Sequence, residues 1–161
     1  MTTVEYNECV DLYADKVYRF IRKSTGENDQ SKDIVQDAFV KLWQKRADVR
    51  FESVKSYLFT VAYRVMIDHF RSRKRMNFTQ NLQPEQLFTD NQYSDLKEVL
   101  NKAIDCLPAV QKDVILLRDY EGYSYDEISV ITGLNASQVK VYIYRGRKTL
   151  KNILVKLNVE I

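Results

Sequence analysis

The segment Ser124–Leu150, SYDEISVITGLNASQVKVYIYRGRKTL, constrains the fold more than any other part of the chain. Ser124 and Glu127 stand at the S-x-x-E spacing of a capping box: the hydroxyl accepts from the third helical N–H, and the carboxylate reaches back. Gly133 falls where a left-handed turn conformation is needed, and Leu134 then plugs the gap between two helices. Asn135 and Gln138 repeat the box and open a second helix carrying Lys140, Arg145, Arg147, Lys148 and Lys151. A short helix, a Gly-containing turn and a basic second helix form the layout of a helix-turn-helix that enters the major groove of DNA.

Apolar spacing extends the helical reading upstream. Val10, Tyr13, Val17, Phe20 and Ile21 predict a first helix from Val4 to Ser24. Turn chemistry follows at Thr25–Gln30, with Asp29 or Ser31 placed to cap the next helix. That helix has the cleanest stripe in the chain: Ile34, Val35, Ala38, Phe39, Leu42 and Trp43. After a short loop, a third helix is predicted from Val54 to Arg73, and it is apolar on nearly every side. Such a helix must be wrapped by protein or must offer a face to a partner. A domain of about 75 residues wraps a central helix poorly, and the arginines among its aromatics point to nucleic acid. Periodicity fails from Met76 to Ser94. It returns with Leu96, Val99, Leu100, Ala103, Ile104 and Leu107, and Pro108 suits the first turn of a further helix ending near Gly122. The expectation is all-α: residues 1–75 and 95–161 as two small helical domains, joined by a flexible polar linker over 76–94, with the helix-turn-helix in the second.

Net charge is only +3, so its distribution matters more than its total. From Asn135 to Ile161 six Lys or Arg stand against one Glu, a local excess of five. Arg71–Arg75 (RSRKR) adds four positive charges, while Pro84–Glu98 is acidic, with Glu85, Asp90, Asp95 and Glu98 against Lys97. Two isolated cysteines, Cys9 and Cys106, read as buried thiols of a reducing cytoplasm and not as a disulfide framework. One histidine without clustered thiols excludes an ordinary zinc site, and no cofactor is expected. The early Glu5 argues against a signal peptide, and no apolar run approaches the ~18–20 residues that span a bilayer. Enzymatic chemistry has no support: there is no Gly-rich phosphate loop and no nucleophile with an evident base. His69 reads as a packing or backbone-contact residue.

Four stretches, in this order and spacing, resemble the extracytoplasmic-function (ECF) class of bacterial RNA polymerase sigma factors. They are Asp33–Trp43 (DIVQDAFVKLW), Ser56–Arg75 (SYLFTVAYRVMIDHFRSRKR), Leu107–Ser129 (LPAVQKDVILLRDYEGYSYDEIS) and Gln138–Leu150 (QVKVYIYRGRKTL). The resemblance spans nearly the whole chain apart from the linker and termini, and it implies the minimal two-domain form. It implies a promoter-specificity subunit that binds core RNA polymerase, reads −35 DNA as duplex and −10 DNA as melted strand, and carries out no chemistry.

Roles follow from the same likeness. The helix Asp33–Trp43 would dock on the clamp helices of the polymerase largest subunit through Asp33, Gln36, Asp37 and Lys41. The helix from Ser56 would grip and melt the −10 element, with Tyr57, Phe59 and Tyr63 supplying stacking surfaces and Arg64, Arg71, Arg73, Lys74 and Arg75 meeting phosphates. The loop before it, Arg50–Ser53 with Phe51, would form a base pocket. In the second domain Lys140, Val141 and Arg145 would contact −35 bases. Tyr142, Arg147 and Lys148 would meet phosphates, and Gln138 sits at the helix start. Relatives have Trp at Tyr57, Asn at Arg64 and Ala at Gly146, and often Ser-x-Gly-Thr at Asn135–Gln138. A dedicated anti-sigma protein is the expected inhibitory partner. The competing reading is a conventional helix-turn-helix regulator with an N-terminal sensing or dimerisation domain, which has no need of an aromatic–arginine helix.

Overall fold

A computed structural model describes residues 1–74 and 96–157, and every element in them is helical. Arg75 and the linker over 76–94 lie outside the described residues. The N-terminal half contains α1 (Thr3–Thr25), α2 (Asn28–Gln44), one 3₁₀ turn (Phe51–Ser53) and α3 (Val54–Lys74). The C-terminal half contains α4 (Leu96–Asp105), α5 (Ala109–Ile115), a wider π-type turn (Leu116–Tyr120), α6 (Tyr125–Thr132) and α7 (Ala136–Lys156).

Local chemistry sets most of the boundaries. Thr2 and Glu5 form a reciprocal capping box on α1, which stops at Gly26 with φ +79°. The start of α2 differs from the sequence expectation. Neither Asp29 nor Ser31 caps it; Glu27 occupies the cap position and its side chain makes no capping hydrogen bond. Ser31 is instead fully buried, where its hydroxyl donates to the Glu27 carbonyl and pairs with the Thr25 hydroxyl at 2.8 Å. In the π-type turn the Glu121 amide donates to the Leu116 carbonyl, five residues back. That extra residue leaves Asp119 and Tyr120 exposed, while the Glu121 side chain is almost fully buried against Arg19.

One hydrophobic core runs through both halves. It joins Val17, Phe20, Leu58, Phe59 and Met66 to Leu117, Tyr123, Ile128, Val139 and Ile143. A smaller cluster ties α4 to the end of α7 through Val99, Ala103, Ile153 and Leu154. The helix that looked too apolar for a small domain, α3, is flanked by α1, α2 and α6. Its surplus apolar face is thus covered by the chain's own C-terminal half and not, in this arrangement, by nucleic acid. Cys9 is buried as expected, whereas Cys106 is only partly so. His69 is exposed.

Candidate nucleic-acid interface

The helix-turn-helix is built as its sequence dictates. Ser124 accepts from the Glu127 amide at 3.1 Å and the Glu127 carboxylate accepts from the Ser124 amide at 3.0 Å. Hydrogen bonding of its carboxylate to Ser124, from the backbone amide first and the side chain second, holds the Glu127 carboxyl below its ordinary pKa. Gly133 ends α6 at φ +78°, a conformation that L side chains rarely adopt. The Ser129 hydroxyl donates to the Leu134 carbonyl, and Asn135 and Gln138 close the second box. These bonds fix where α7 starts and therefore which of its side chains face outward.

Val139, Ile143 and Gly146 turn inward; Lys140, Val141, Tyr144, Arg145 and Lys148 form an exposed stripe on the opposite face. Among the described residues Lys140, Arg145 and Lys148 form no ion pair. Other expected contacts are less free. Tyr142 packs against the core. Arg147 makes a forked pair with Asp119 of the π-type turn, which raises the guanidinium pKa further. The Gln138 side-chain oxygen is committed to its cap. Tyr144 is the residue the sequence reading missed. It is 67% exposed, between Val141 and Lys148 on the stripe. Its helical phase relative to Lys140 and Arg145 was the available signal.

Gly146 has a steric reason. A Cβ there would lie 2.4 Å from Cδ1 of Ile115 and 3.5 Å from Cβ of Gln111. The missing side chain lets α7 approach α5 closely.

In the N-terminal half an open cleft of about 480 Å³ lies beside the start of α3, lined by Lys45, Asp48, Val49, Arg50, Ser53 and Tyr57. The loop that walls it is tied down by the N-terminal ammonium, which donates to the Arg46 carbonyl at 2.9 Å. Half-buried Tyr57 offers part of its ring, and Lys45 and Arg50 supply positive charge beside it. Phe51 is half-buried against the core, and Arg64 is exposed two turns beyond Tyr57 on the same face of α3. Arg71, Arg73 and Lys74 belong to the last turn of α3.

Phe59 and Tyr63 depart from their expected role. Phe59 is 0% and Tyr63 7% exposed. Phe59 meets Phe20 at 5.6 Å and Tyr123 at 5.2 Å between ring centroids, and Tyr63 stacks on Phe20. Burial raises the Tyr63 hydroxyl pKa strongly, and that hydroxyl hydrogen-bonds to Asp113. Both rings are packing groups here, because helical phase turns them away from Tyr57 and toward α1 and α6.

On α2, Asp33, Gln36, Asp37 and Lys41 are all exposed, and among the described residues no ion pair occupies the three charges. Val40, 48% exposed, sits among them. Phe39 and Leu42 are buried, whereas Trp43 lies at the surface with the Arg46 guanidinium 3.8 Å above its ring and Tyr6 edge-on at 4.9 Å. Among the described residues no group of His, Cys, Asp and Glu is arranged to hold a metal. No helix there is long and apolar enough to cross a membrane.

Comparison with known proteins places these surfaces in context. A family profile described as Sigma-70 region 2 matches residues 9–76, and one described as Sigma-70, region 4 matches residues 97–150. The chain is 30% identical over 151 residues to the RNA polymerase sigma factor SigV of Bacillus subtilis, covering 92% of this chain and 90% of that protein. It is 27% identical to the ECF RNA polymerase sigma factor SigE of Mycolicibacterium smegmatis over 94% of this chain, but spans only 62% of that longer relative. Among solved structures, it resembles the sigma factor RpoE of Bartonella quintana, seen in complex with the anti-sigma factor NepR. The TM-score is 0.75 at 25% identity, over 92% of this chain and 96% of that one. CnrH, solved with the cytosolic domain of CnrY, shares the fold, with a TM-score of 0.67 at 22% identity over 94% and 88% of the two chains.

Proposed function

The chain belongs to the RNA polymerase sigma factors, in their extracytoplasmic-function class, and from that premise we propose how its surfaces divide the work of starting transcription. It is not an enzyme. It acts in the cytoplasm as the promoter-specificity subunit of RNA polymerase. Residues 1–75 form the domain that binds polymerase and the −10 element, and residues 95–161 the domain that binds the −35 element, with 76–94 linking them.

The observation that carries this reading is that one chain holds two open DNA-suited surfaces of different kinds. The stripe Lys140–Val141–Tyr144–Arg145–Lys148 on a capped helix suits a duplex. Arg145 pairs two-pronged with a guanine edge, Val141 and the Tyr144 ring pack on thymine methyls, and Lys140 and Lys148 draw in phosphates. The cleft beside Tyr57 suits an unstacked base. Its ring replaces lost stacking, worth roughly 1–3 kcal/mol per base, and Lys45, Arg50, Arg64 and the basic end of α3 follow the strand. The unpaired face Asp33, Gln36, Asp37 and Lys41 on α2 docks on the polymerase clamp helices. An anti-sigma protein is the expected antagonist, in keeping with the NepR complex of the Bartonella relative.

A sensing or dimerisation domain accounts for neither the cleft nor the unpaired α2 face. The direct check is capture of purified core polymerase by the tagged chain. Stoichiometric capture, lost on combined Asp33→Arg and Asp37→Arg substitution, supports the assignment; absence of capture by the unmodified chain contradicts it.

A further inference from the structure

Arg147 sits at the edge of the exposed stripe of α7, yet its guanidinium is already engaged. It follows Lys140 by two helical turns and so shares its edge of the helix. Its Nε donates at 3.2 Å to one carboxylate oxygen of Asp119, and its Nη2 donates to the other. This fork uses the planar geometry with which a guanidinium also grips a phosphate. Asp119 thus occupies the place that a backbone phosphate would take.

The turn that carries Asp119 holds it there. Leu116 and Leu117 are buried and root the π-type turn in the core. The Glu121 amide donates to the Leu116 carbonyl at 3.1 Å, and the Gly122 amide to the Arg118 carbonyl at 3.2 Å. Arg118 is committed elsewhere: it donates to the Tyr123 carbonyl at 2.9 Å and lies over the Tyr125 ring. The Asp119 and Arg147 side chains are 35% and 49% exposed, and an ion pair so open to water adds little to folding stability. Stability alone does not account for a pair built with this geometry.

Its effect on DNA binding is larger. Each phosphate that a cation neutralises releases condensed counterions, steepening the slope of log K against log salt by about 0.9. At roughly 0.15 M salt one such contact is therefore worth about fivefold in affinity. That gain is the same for every sequence, so it raises mismatched −35 elements as much as correct ones. A genome offers a vast excess of competing sites. Occupancy discriminates among them only while the mismatched ones stay short of saturation.

We propose that Asp119 is a stringency-determining residue: it withholds Arg147 from phosphate, so that base contacts by Arg145 and its neighbours decide which −35 elements are occupied. This rests on the promoter-specificity reading above and deepens it. Asp119 touches no base; it acts through Arg147, and what it guards is the phosphate track along the Lys140 edge of α7. To meet a phosphate, Arg147 must first give up a carboxylate that is then left unpaired beside the DNA backbone.

The test titrates the full chain onto a short duplex of scrambled sequence over a series of salt concentrations. Asp119→Ala should tighten binding about fivefold at roughly 0.15 M salt and steepen the slope by about 0.9. Asp119→Glu, which keeps the carboxylate, should match wild type. Arg147→Ala should leave the wild-type slope unchanged, and in the Asp119→Ala chain it should cancel the gain. With core polymerase on fragmented genomic DNA, Asp119→Ala should add start sites whose −35 elements are degenerate, while the −10 element stays sharp. A shallower slope for Arg147→Ala alone overturns the proposal, since Arg147 then already meets phosphate. So does a gain that survives in the double variant, or a −35 element as sharp in Asp119→Ala as in wild type. If the wild-type chain directs polymerase to no start sites, the promoter reading fails and the stringency claim falls with it, whereas the titrations still report whether Asp119 restrains Arg147.

Discussion

The carboxyl of Asp113 accepts a hydrogen bond from the hydroxyl of Ser24, 89 positions earlier in the chain. Burial pushes the Asp113 pKa up to about 6, against the ordinary 3.8, with the bond from Ser24, the Lys112 charge and the bond from Tyr63 only partly offsetting it. The packed state therefore binds its proton more tightly than the unpacked state. The cost of burying the charge is in force above pH 6, shrinks as pH falls through that value, and is gone below the ordinary carboxylate range.

Asp113→Asn should accordingly be more stable than wild type at pH 7, by up to roughly 3 kcal/mol, with the gap closing toward pH 4. Chemical denaturation of both proteins at pH 7, 6, 5 and 4 measures it. A gap independent of pH would mean that Asp113 is not a buried ionised group.

Gly146→Ala should lower stability by about 1 kcal/mol. The helix-propensity gain of roughly 0.5–1 kcal/mol is outweighed by overpacking of about 1–3 kcal/mol against a nearly fully buried Ile115. Ile115→Val deletes the atom that the new Cβ would strike. The double variant should therefore be more stable than the sum of the two single changes predicts, a non-additivity that thermal unfolding will show or exclude.

Arg145→Ala should cost about 1–3 kcal/mol of −35 binding and relax one base position, whereas Lys148→Ala should weaken all sequences alike. Tyr144→Ala should reduce specific binding and leave binding to scrambled duplex nearly unchanged. Equal losses on specific and scrambled duplexes for Arg145→Ala would remove it from the base-reading set.

Asp119→Ala releases Arg147 from its pair. Because that pair is about half exposed on the Arg147 side, folding stability should change by less than about 1 kcal/mol. Affinity for any duplex should rise, and the dependence of log K on log salt should steepen by about one. A salt slope identical to wild type would show that Arg147 does not reach a phosphate even when free.

Local signals made the helix-turn-helix legible. Ser124 with Glu127, Gly133, and Asn135 with Gln138 each act within a few residues, and each forms as its spacing requires. The exposed face of α2 was equally readable from period alone. What escaped depended on distant parts of the chain. Spacing shows that α3 is apolar all round but not which helix covers Phe59 and Tyr63; the cover is α1 and α6. Arg147 looked like a free cation because its partner, Asp119, is placed by a π-type turn that apolar periodicity does not register. Gly146 carries no local signal of its role; Ile115 of α5, packed against it, supplies the reason. Tyr144 is marked only by its helical phase relative to Lys140 and Arg145, which places its ring on the exposed stripe.

The central claim is that this chain selects promoters for RNA polymerase through two distinct surfaces. It is tested most directly by adding the purified protein to core polymerase on fragmented genomic DNA and sequencing the 5′ ends of the transcripts. The account predicts a discrete set of start sites absent with core polymerase alone, sharing one element near −35 that fades with Arg145→Ala and another near −10 that fades with Tyr57→Ala. Start sites indistinguishable from those of core polymerase alone would contradict it.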